Sequence, residues 1–360
     1  MQFGIIGCGT IAQIMHIPYV EEIPEADLHA LADPAVDRAK RLAERYNVDN
    51  VFASAEDMIA ALGDELDAAI VLTPPNQHVD VVERTLEADI HTLVEKPLSV
   101  SIEDADRMVA AAEASNATAM VAYMKRYDPA YQDAQDEIGD LDAIDTVTAY
   151  DVDPDHGRII DEVYDLVTGD VPDDVIAQSM AKQRADSLAA VATEDEDRAD
   201  DYHWHLEHIC HDVNVLRGIF GDVERIDHVD LYADGRYATA HLVYEDGVRC
   251  TLESGLSERN WFEEWLRVDT AEGMVRLEWS NPFIKNSPTE LRVKRGVESI
   301  SDETRTPSYD EPFKAEIEHF IGVVQGEREV LTPFTEARDD VRLIADLFRH
   351  VDSKSLIGDY

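Results

Sequence analysis

The chain has 360 residues, 44% of them hydrophobic, with 77 acidic against 31 basic residues and a formal net charge of −46. That length fits two domains with sizeable cores, while the charge excludes nucleic acid and anionic membrane surfaces as partners, because both would repel it. Only eight of the basic residues are lysines, and the acids are scattered over every helix-like segment, which points to work in high salt, where a Debye length of about 3 Å screens self-repulsion.

Along the chain, residues 3–6 read as a short buried strand, followed by Gly7-Cys8-Gly9-Thr10-Ile11-Ala12 and an apolar run that can open a helix. In this G-x-G-x-x-A turn Gly7 and Gly9 allow a tight bend and close approach of backbone to a pyrophosphate. Thr10 and Ile11 begin the helix whose N–H groups face that anion, and Ala12 lets the helix pack on the strand. Asp33 closes the next strand, 28–33, where an acid takes the ribose hydroxyls of a dinucleotide. Strands at 67–72, 90–94 and 118–122 alternate with helices at 79–87 and 102–114. That alternation predicts βαβ units and a doubly wound parallel sheet over residues 1–122.

The texture changes from about residue 144. Strands predicted at 146–151, 225–233, 237–244, 248–254, 266–270, 274–279 and 291–294 lie close together without intervening helices, which implies an open, mostly antiparallel sheet. The long acidic segment 152–203 reads as a helical excursion, because Ile159, Ile160, Val163, Tyr164 and Val167 share one helical face. Helices at 313–325 and 336–350 close a second α+β domain spanning 123–360.

Three cysteines, Cys8, Cys210 and Cys250, are odd in number and lack C-x-x-C spacing, so a reducing, cytoplasmic setting without disulfides is expected. The apolar N-terminus has no basic n-region of a signal peptide, and no stretch has the length of a membrane span.

Two loops follow strands of the parallel sheet: Thr73-Pro74-Pro75-Asn76-Gln77-His78, and Glu95-Lys96-Pro97. Ligands of such sheets bind outside the carboxyl ends of the strands, so both loops face the crevice of the glycine turn. Lys96 stands out there in a lysine-poor chain, with a proline behind it to fix its aim. The second constellation is His203-Trp204-His205-Leu206-Glu207-His208-Ile209-Cys210-His211-Asp212-Val213-Asn214. On a helix Trp204, Glu207, His208 and His211 form one stripe, whereas His205 and Cys210 point elsewhere. No recognised zinc spacing fits, so no metal is expected. The preferred reading is His211 as a proton-transfer group, with Glu207 one turn before it to orient the imidazole or bind substrate hydroxyls.

The combination of the glycine turn, Asp33, residues 73–78, Glu95-Lys96-Pro97, the segment Tyr123-Met124-Lys125-Arg126-Tyr127-Asp128-Pro129 and His211–Arg217 resembles the Gfo/Idh/MocA family of NAD(P)-dependent sugar and cyclitol oxidoreductases. The resemblance runs over nearly the whole chain, and the E-K-P element with a downstream D-x-x-x-H is its specific part. It implies that Lys96 and His211 are the catalytic pair and that Glu207 sits where the family has Asp. It also implies that Met124 approaches the nicotinamide, with Lys125 and Arg126 near the substrate. The chain departs from the family in lacking a glycine-rich stretch before the D-x-x-x-H element, in Glu207 itself, in Asn214 where Asp is usual, and in the length of 152–203.

The expected protein is therefore an α/β enzyme with an N-terminal Rossmann domain and an active site between its two domains. It would oxidise a secondary alcohol of a sugar or cyclitol with NAD, NADP being possible. The cofactor would be held by Gly7, Gly9, Thr10, Ile11, Asp33, Thr73, Pro74, Asn76, His78, Glu95, Lys96 and Met124. The rivals are a catalytically silent nucleotide-binding protein of the same fold and an NAD-assisted glycosidase. Val229, Leu231, Ala238, Ala240, Leu242, Val248 and Leu252, with Trp261, Phe262 and Trp265 nearby, are expected to form a two-fold interface giving a homodimer or homotetramer. The 152–203 segment is expected to cover the substrate pocket.

Overall fold

The structure, a computed structural model, describes residues 1–141 and 143–351. They form two compact units. The first comprises Met1–Asp128 with Arg158–Ala190 and Asp310–Val341; the second comprises Pro129–Gly157, Val191–Tyr309 and, among the described residues, 342–351.

The first unit is built on β1 (Gln2–Ile6), β2 (Asp27–Ala32), β3 (Asn50–Phe52), β4 (Ala68–Val71), β5 (His91–Glu95) and β6 (Ala119–Ala122), all paired in parallel in the order β3-β2-β1-β4-β5-β6. The order reverses between β1 and β4, and that switch point opens the crevice for a ligand. Helices α1 (Ile17–Glu22), α2 (Val36–Tyr46), α3 (Ala55–Leu62), α4 (His78–Glu87) and α5 (Ile102–Ala114) return the chain between strands. Short side chains start two of them: Ser54 accepts the Asp57 N–H at α3, and Ser101 accepts that of Asp104 at α5. Covered on both sides, β4 is wholly buried, the continuous apolar run that a two-faced parallel sheet demands.

The second unit holds α6 (Pro129–Gly139), β7 (Thr146–Asp153), the long α9 (Glu196–Phe220) and β8 to β14: Val223–Tyr232, Tyr237–Tyr244, Arg249–Leu256, Glu263–Asp269, Gly273–Trp279, Glu290–Arg295 and Ser301–Arg305. The eight strands run β14-β13-β12-β11-β7-β10-β9-β8, antiparallel except for β7 against β10. Asp195 starts α9 by accepting the N–H groups of Asp197 and Arg198, and Gly221 at φ 75° ends it. α6 and α9 pack on one face of this sheet.

Two expectations are corrected here. The apolar residues assigned to a two-fold interface lie largely on the helix-covered face: Val229, Ala238, Ala240, Leu242 and Leu252 are buried within the chain itself. Alternation along a strand puts the other side chains outward, where Tyr150 stacks on Trp265 at 5.4 Å and Arg276 lies 4.5 Å over the Trp265 ring. The excursion also behaves differently. Its first helix, α7 (His156–Val163), buries no residue and leaves Val163 56% exposed, so the stripe from Ile159 to Val167 does not continue as one helix. Residues 158–190, including all of α8 (Asp173–Ala190), belong to the first unit, as does α10 (Pro312–Val324). The last helix, α11 (Phe334–His350), begins in the first unit and ends in the second.

Candidate functional site

In the first unit, β1 ends in the glycine turn. Gly7 has φ +97°, and a Cβ there would lie 2.6 Å from the Leu72 carbonyl oxygen, so the bend admits no side chain. A Cβ at Gly9 would meet no protein atom within 4 Å. That position is open on the ligand side, a cradle suited to a pyrophosphate. Thr10 is exposed and Ile11 half-buried, and Ala12–His16 forms a π-type turn that runs into α1. Asp33 at the end of β2 is buried and accepts the N–H groups of Cys8 and Ala35 at 2.7 Å, while Arg38 grips both its oxygens at 2.8 Å. Burial, with the charge of Asp33, pushes the Cys8 thiol up to about 12, so it behaves as packing and not as a nucleophile.

After β4, Thr73 is half-buried and Pro74 exposed. Asn76 is buried, and its amide donates to the Ser179 carbonyl and hydroxyl of α8. His78 is fully buried between the carbonyls of Thr73 (2.8 Å) and Leu98 (3.1 Å), and burial holds its pKa down. It ties the loop after β4 to the loop after β5. Glu95, at the end of β5, takes the His16 ring nitrogen at 2.9 Å on one oxygen and the Lys96 N–H at 2.9 Å on the other. Burial works against its charge, but the His16 hydrogen bond prevails and holds the Glu95 carboxyl below its usual value. Lys96 is half-buried at the mouth of the strand, with a cis peptide to Pro97. Met124, Lys125 and Arg126 are buried in the short turn after β6, and Arg126 reaches Glu336 (3.4 Å) and the Leu331 carbonyl (3.3 Å).

The irregular segment joining α7 to α8 meets this same surface. Gln13, on the π-type turn, donates to the carbonyls of Cys8 and Val167 and accepts the Val167 N–H at 2.8 Å. Arg41 bonds the Thr168 carbonyl, and a Cβ on Gly169 would come within 2.6 Å of the Arg38 Cβ. Residues 167–169 thus form a strap held by Gln13, Arg38 and Arg41, the side chains flanking the glycine turn and Asp33.

In the second unit α9 carries the histidine stripe. Glu207 is exposed and lies 3.4 Å from His203, and His211 is half-buried at the next turn. His205 faces the Gly235 carbonyl at 2.9 Å, and burial pulls its pKa down to about 4; the Cys210 thiol faces the Glu207 carbonyl. His208 points into the sheet, its ring stacked on Trp204 at 5.0 Å. Its nitrogens lie 3.4 Å from Asp151 and 3.1 Å from Asp153. Burial disfavours a charge on it, yet Asp151 and Asp153 outweigh burial and push its pKa up to about 10. Asp151 also converges with Asp212 and Glu264, all three buried with oxygens within 4.8 Å of one another. The histidines therefore disperse to separate partners: His203 meets Glu207 along its own helix, and His208 meets two carboxylates across the helix–sheet interface. Sequence reasoning missed Gln13, His16, Glu316, Asp151, Asp153 and Glu264, because none belongs to a motif and each acquires its role from a distant element.

Residues 1–123 match the model of the oxidoreductase family with an NAD-binding Rossmann fold. A curated relative, scyllo-inositol 2-dehydrogenase (NAD(+)) of Bacillus subtilis, is 30% identical over 135 residues, 37% of this chain and 39% of that protein. The chain spans about two fifths of the length of the first curated relatives it matches. UDP-N-acetylglucosamine 3-dehydrogenase from Acidithiobacillus ferrooxidans shares the fold with a TM-score of 0.73 at 19% identity, over 98% of this chain and 97% of that one. A 3-ketoreductase from Actinomadura kijaniata, solved with NADP and TDP-benzene, has a TM-score of 0.73 at 19% identity, with 98% of each chain covered. No helix among the described residues is long and apolar enough to cross a membrane. A glycine turn on a parallel switch point, an acid closing β2 and a lysine following β5 all fall within residues 1–123, the stretch that matches the NAD-binding Rossmann fold of the Gfo/Idh/MocA oxidoreductase family.

Proposed function

We propose that the protein moves a hydride between a secondary alcohol of a sugar or cyclitol and nicotinamide. The observation that carries this reading is the first unit's arrangement of the open Gly9 cradle and the Lys96 side chain at carboxyl ends of the same sheet. Bound NAD or NADP supplies hydride acceptance or donation at its nicotinamide ring. Gly7, Gly9 and the N–H groups of Thr10 and Ile11 bind the pyrophosphate. Asp33 accepts a ribose hydroxyl and favours NAD over a 2′-phosphate, while the Arg38 pair offsets part of that repulsion and leaves NADP usable. Thr73, Pro74, Asn76, His78, Glu95 and Met124 form the wall around the nicotinamide half.

Lys96 holds the substrate oxygen and stabilises negative charge on it, and His211 takes the hydroxyl proton, with Glu207 and Lys125 binding neighbouring hydroxyls. Arg126, gripped by Glu336 and Leu331, shapes the turn that carries Lys125. The subunits associate through the outer face of the second unit's sheet, around Tyr150, Trp265 and Arg276. The protein is read as cytoplasmic. The test is a panel of sugars, sugar acids and cyclitols followed by NADH absorbance in molar KCl. No turnover with any of them, in either direction, would refute the reading.

A second reading draws on the strap. Redox-assisted glycoside cleavage needs a retained cofactor, and the hydrogen bonds between Val167 and Gln13 beside the glycine turn support slow exchange of the dinucleotide. Nucleotide carried through purification, and glycoside turnover without added NAD, would favour it over the first.

A further inference from the structure

Behind the Glu95-Lys96-Pro97 loop lies a group that the proposed reaction does not use. Glu316 sits on α10 with 0% exposure, and neither of its carboxyl oxygens meets a donor in the protein. One turn earlier on the same helix face, Phe313 packs edge-on against the His16 ring at 5.9 Å. His16 is itself 0% exposed; one nitrogen bonds Glu95, and the other, Nδ1, has no partner. Two carboxyls and an imidazole are thus enclosed together, with three polar atoms left over. Buried polar atoms of this kind are satisfied by a shared proton or an internal water.

The elements packed on α10 bring His16, Tyr19, Glu21, Glu22, Lys125, Arg126 and Tyr127, and α10 itself adds Lys314, which pairs with Glu22, together with Glu318 and His319. Among these and the neighbouring Glu95, Tyr127 and Glu95 interact electrostatically with Glu316, and Glu95 already spends both oxygens on His16 and the Lys96 amide. Burial first, and the Glu95 charge second, favour the protonated form of Glu316.

We propose that Glu316 is a positioning residue for Lys96: as a neutral carboxylic acid it donates, directly or through one internal water, to the Glu95–His16 pair and so holds the Glu95 carboxylate that fixes the Lys96 backbone. The proton stays on Glu316 throughout, and no bond to substrate is made. The proposal rests on the reading of Lys96 as a catalytic group.

Its test compares Glu316→Gln, which keeps a neutral donor, with Glu316→Leu, which keeps bulk but not polarity, and with Lys96→Ala. Glu316→Leu should lower kcat about tenfold with the cofactor KM unchanged, and should move the pH limb assigned to Lys96 by about one unit. Glu316→Gln should stay within about twofold of wild type on both measures. A readout free of turnover is the pH dependence of Lys96 labelling by acetic anhydride, which should shift in the Leu variant and not in the Gln variant. Wild-type labelling and pH profile in a folded Leu variant would overturn the proposal. If Lys96→Ala turns over normally, the functional reading falls, while the labelling comparison still decides the role of Glu316. Should the Leu variant not fold, infrared spectra of wild type and Glu316→Gln at pH 7 decide. A carboxylic-acid carbonyl band present in the first and lost in the second supports the neutral acid, and its absence from wild type overturns it.

Discussion

The buried polar groups behind Lys96 and those behind His211 use the same side chains to opposite ends. In the first unit Glu95 is ionised, Glu316 holds a proton, and one imidazole, His16, lies between a carboxylate and an apolar wall. In the second unit His208 holds the proton, bracketed by Asp151 and Asp153, with Asp212 and Glu264 close by. Burial opposes every one of these charges; what differs is the number of opposite charges at hand. His208 has two carboxylates on it and becomes a cation. Glu316 meets another carboxylate and becomes neutral. Protonation in each core therefore follows from burial together with the charges that surround the group, chiefly those on the neighbouring strand.

The largest expected effects address the proposed catalytic roles of Lys96 and His211. Lys96→Ala and His211→Ala should each lower kcat by about two to four orders of magnitude, measured with whichever substrate the panel identifies. Wild-type turnover in His211→Ala would reduce the second unit's core to packing alone.

Next comes stability. His208→Gln should cost about 3–5 kcal/mol in denaturant unfolding, because it leaves the buried Asp151 and the half-buried Asp153 without this cation. The pH dependence carries a sign. Folding raises the His208 pKa from 6.5 to about 10, so its contribution is complete below pH 6.5 and is lost as the pH climbs towards 10. Wild type should weaken across that window, and His208→Gln should lose that part of the slope.

Salt separates surface from interior. With a net charge of −46, the melting temperature should rise between about 0.1 and 2 M KCl, as the Debye length falls from roughly 10 to 2 Å. The deficit of His208→Gln should hardly change, since buried pairs are screened little. A melting temperature flat with salt would contradict the high-salt reading of the composition.

The smallest effect is expected at Glu316. Its folded pKa lies well above 4.5, so the native state loses stability relative to the unfolded chain as pH rises beyond 4.5. Glu316→Gln removes that loss. Its melting temperature should match wild type near pH 4.5 and exceed it by a few degrees at pH 8, as expected for a kcal/mol or two in a chain of this size. An advantage independent of pH would mean that Glu316 is ionised in the native protein.

The first sheet was legible from sequence because its signals are local. Gly7, whose Cβ would strike the Leu72 carbonyl, must be glycine in any chain making that bend, and β4 must be apolar throughout because both faces are covered. The antiparallel order of the second sheet could be read as a class but not as a register. Outward and inward positions alternate alike along Val229, Ala240 and Leu252, and only the packing of α6 and α9 decides which face is core. That is why residues expected at an interface are interior.

The site divides along the same line. The sequence by itself determined the turn, the acid closing β2, the lysine following β5 and the helix bearing His211, since each is marked by a short local motif or a local helical pattern. Only the tertiary structure decided that Arg38 neutralises Asp33, that Val167 crosses Gln13, that Glu316 stands behind Glu95 and that His208 meets Asp151 and Asp153. The physical reason is that charge state and partner choice depend on desolvation and on groups a few Å away in space. The chain brings those groups from positions tens to hundreds of residues apart, and no periodicity along the sequence encodes that distance.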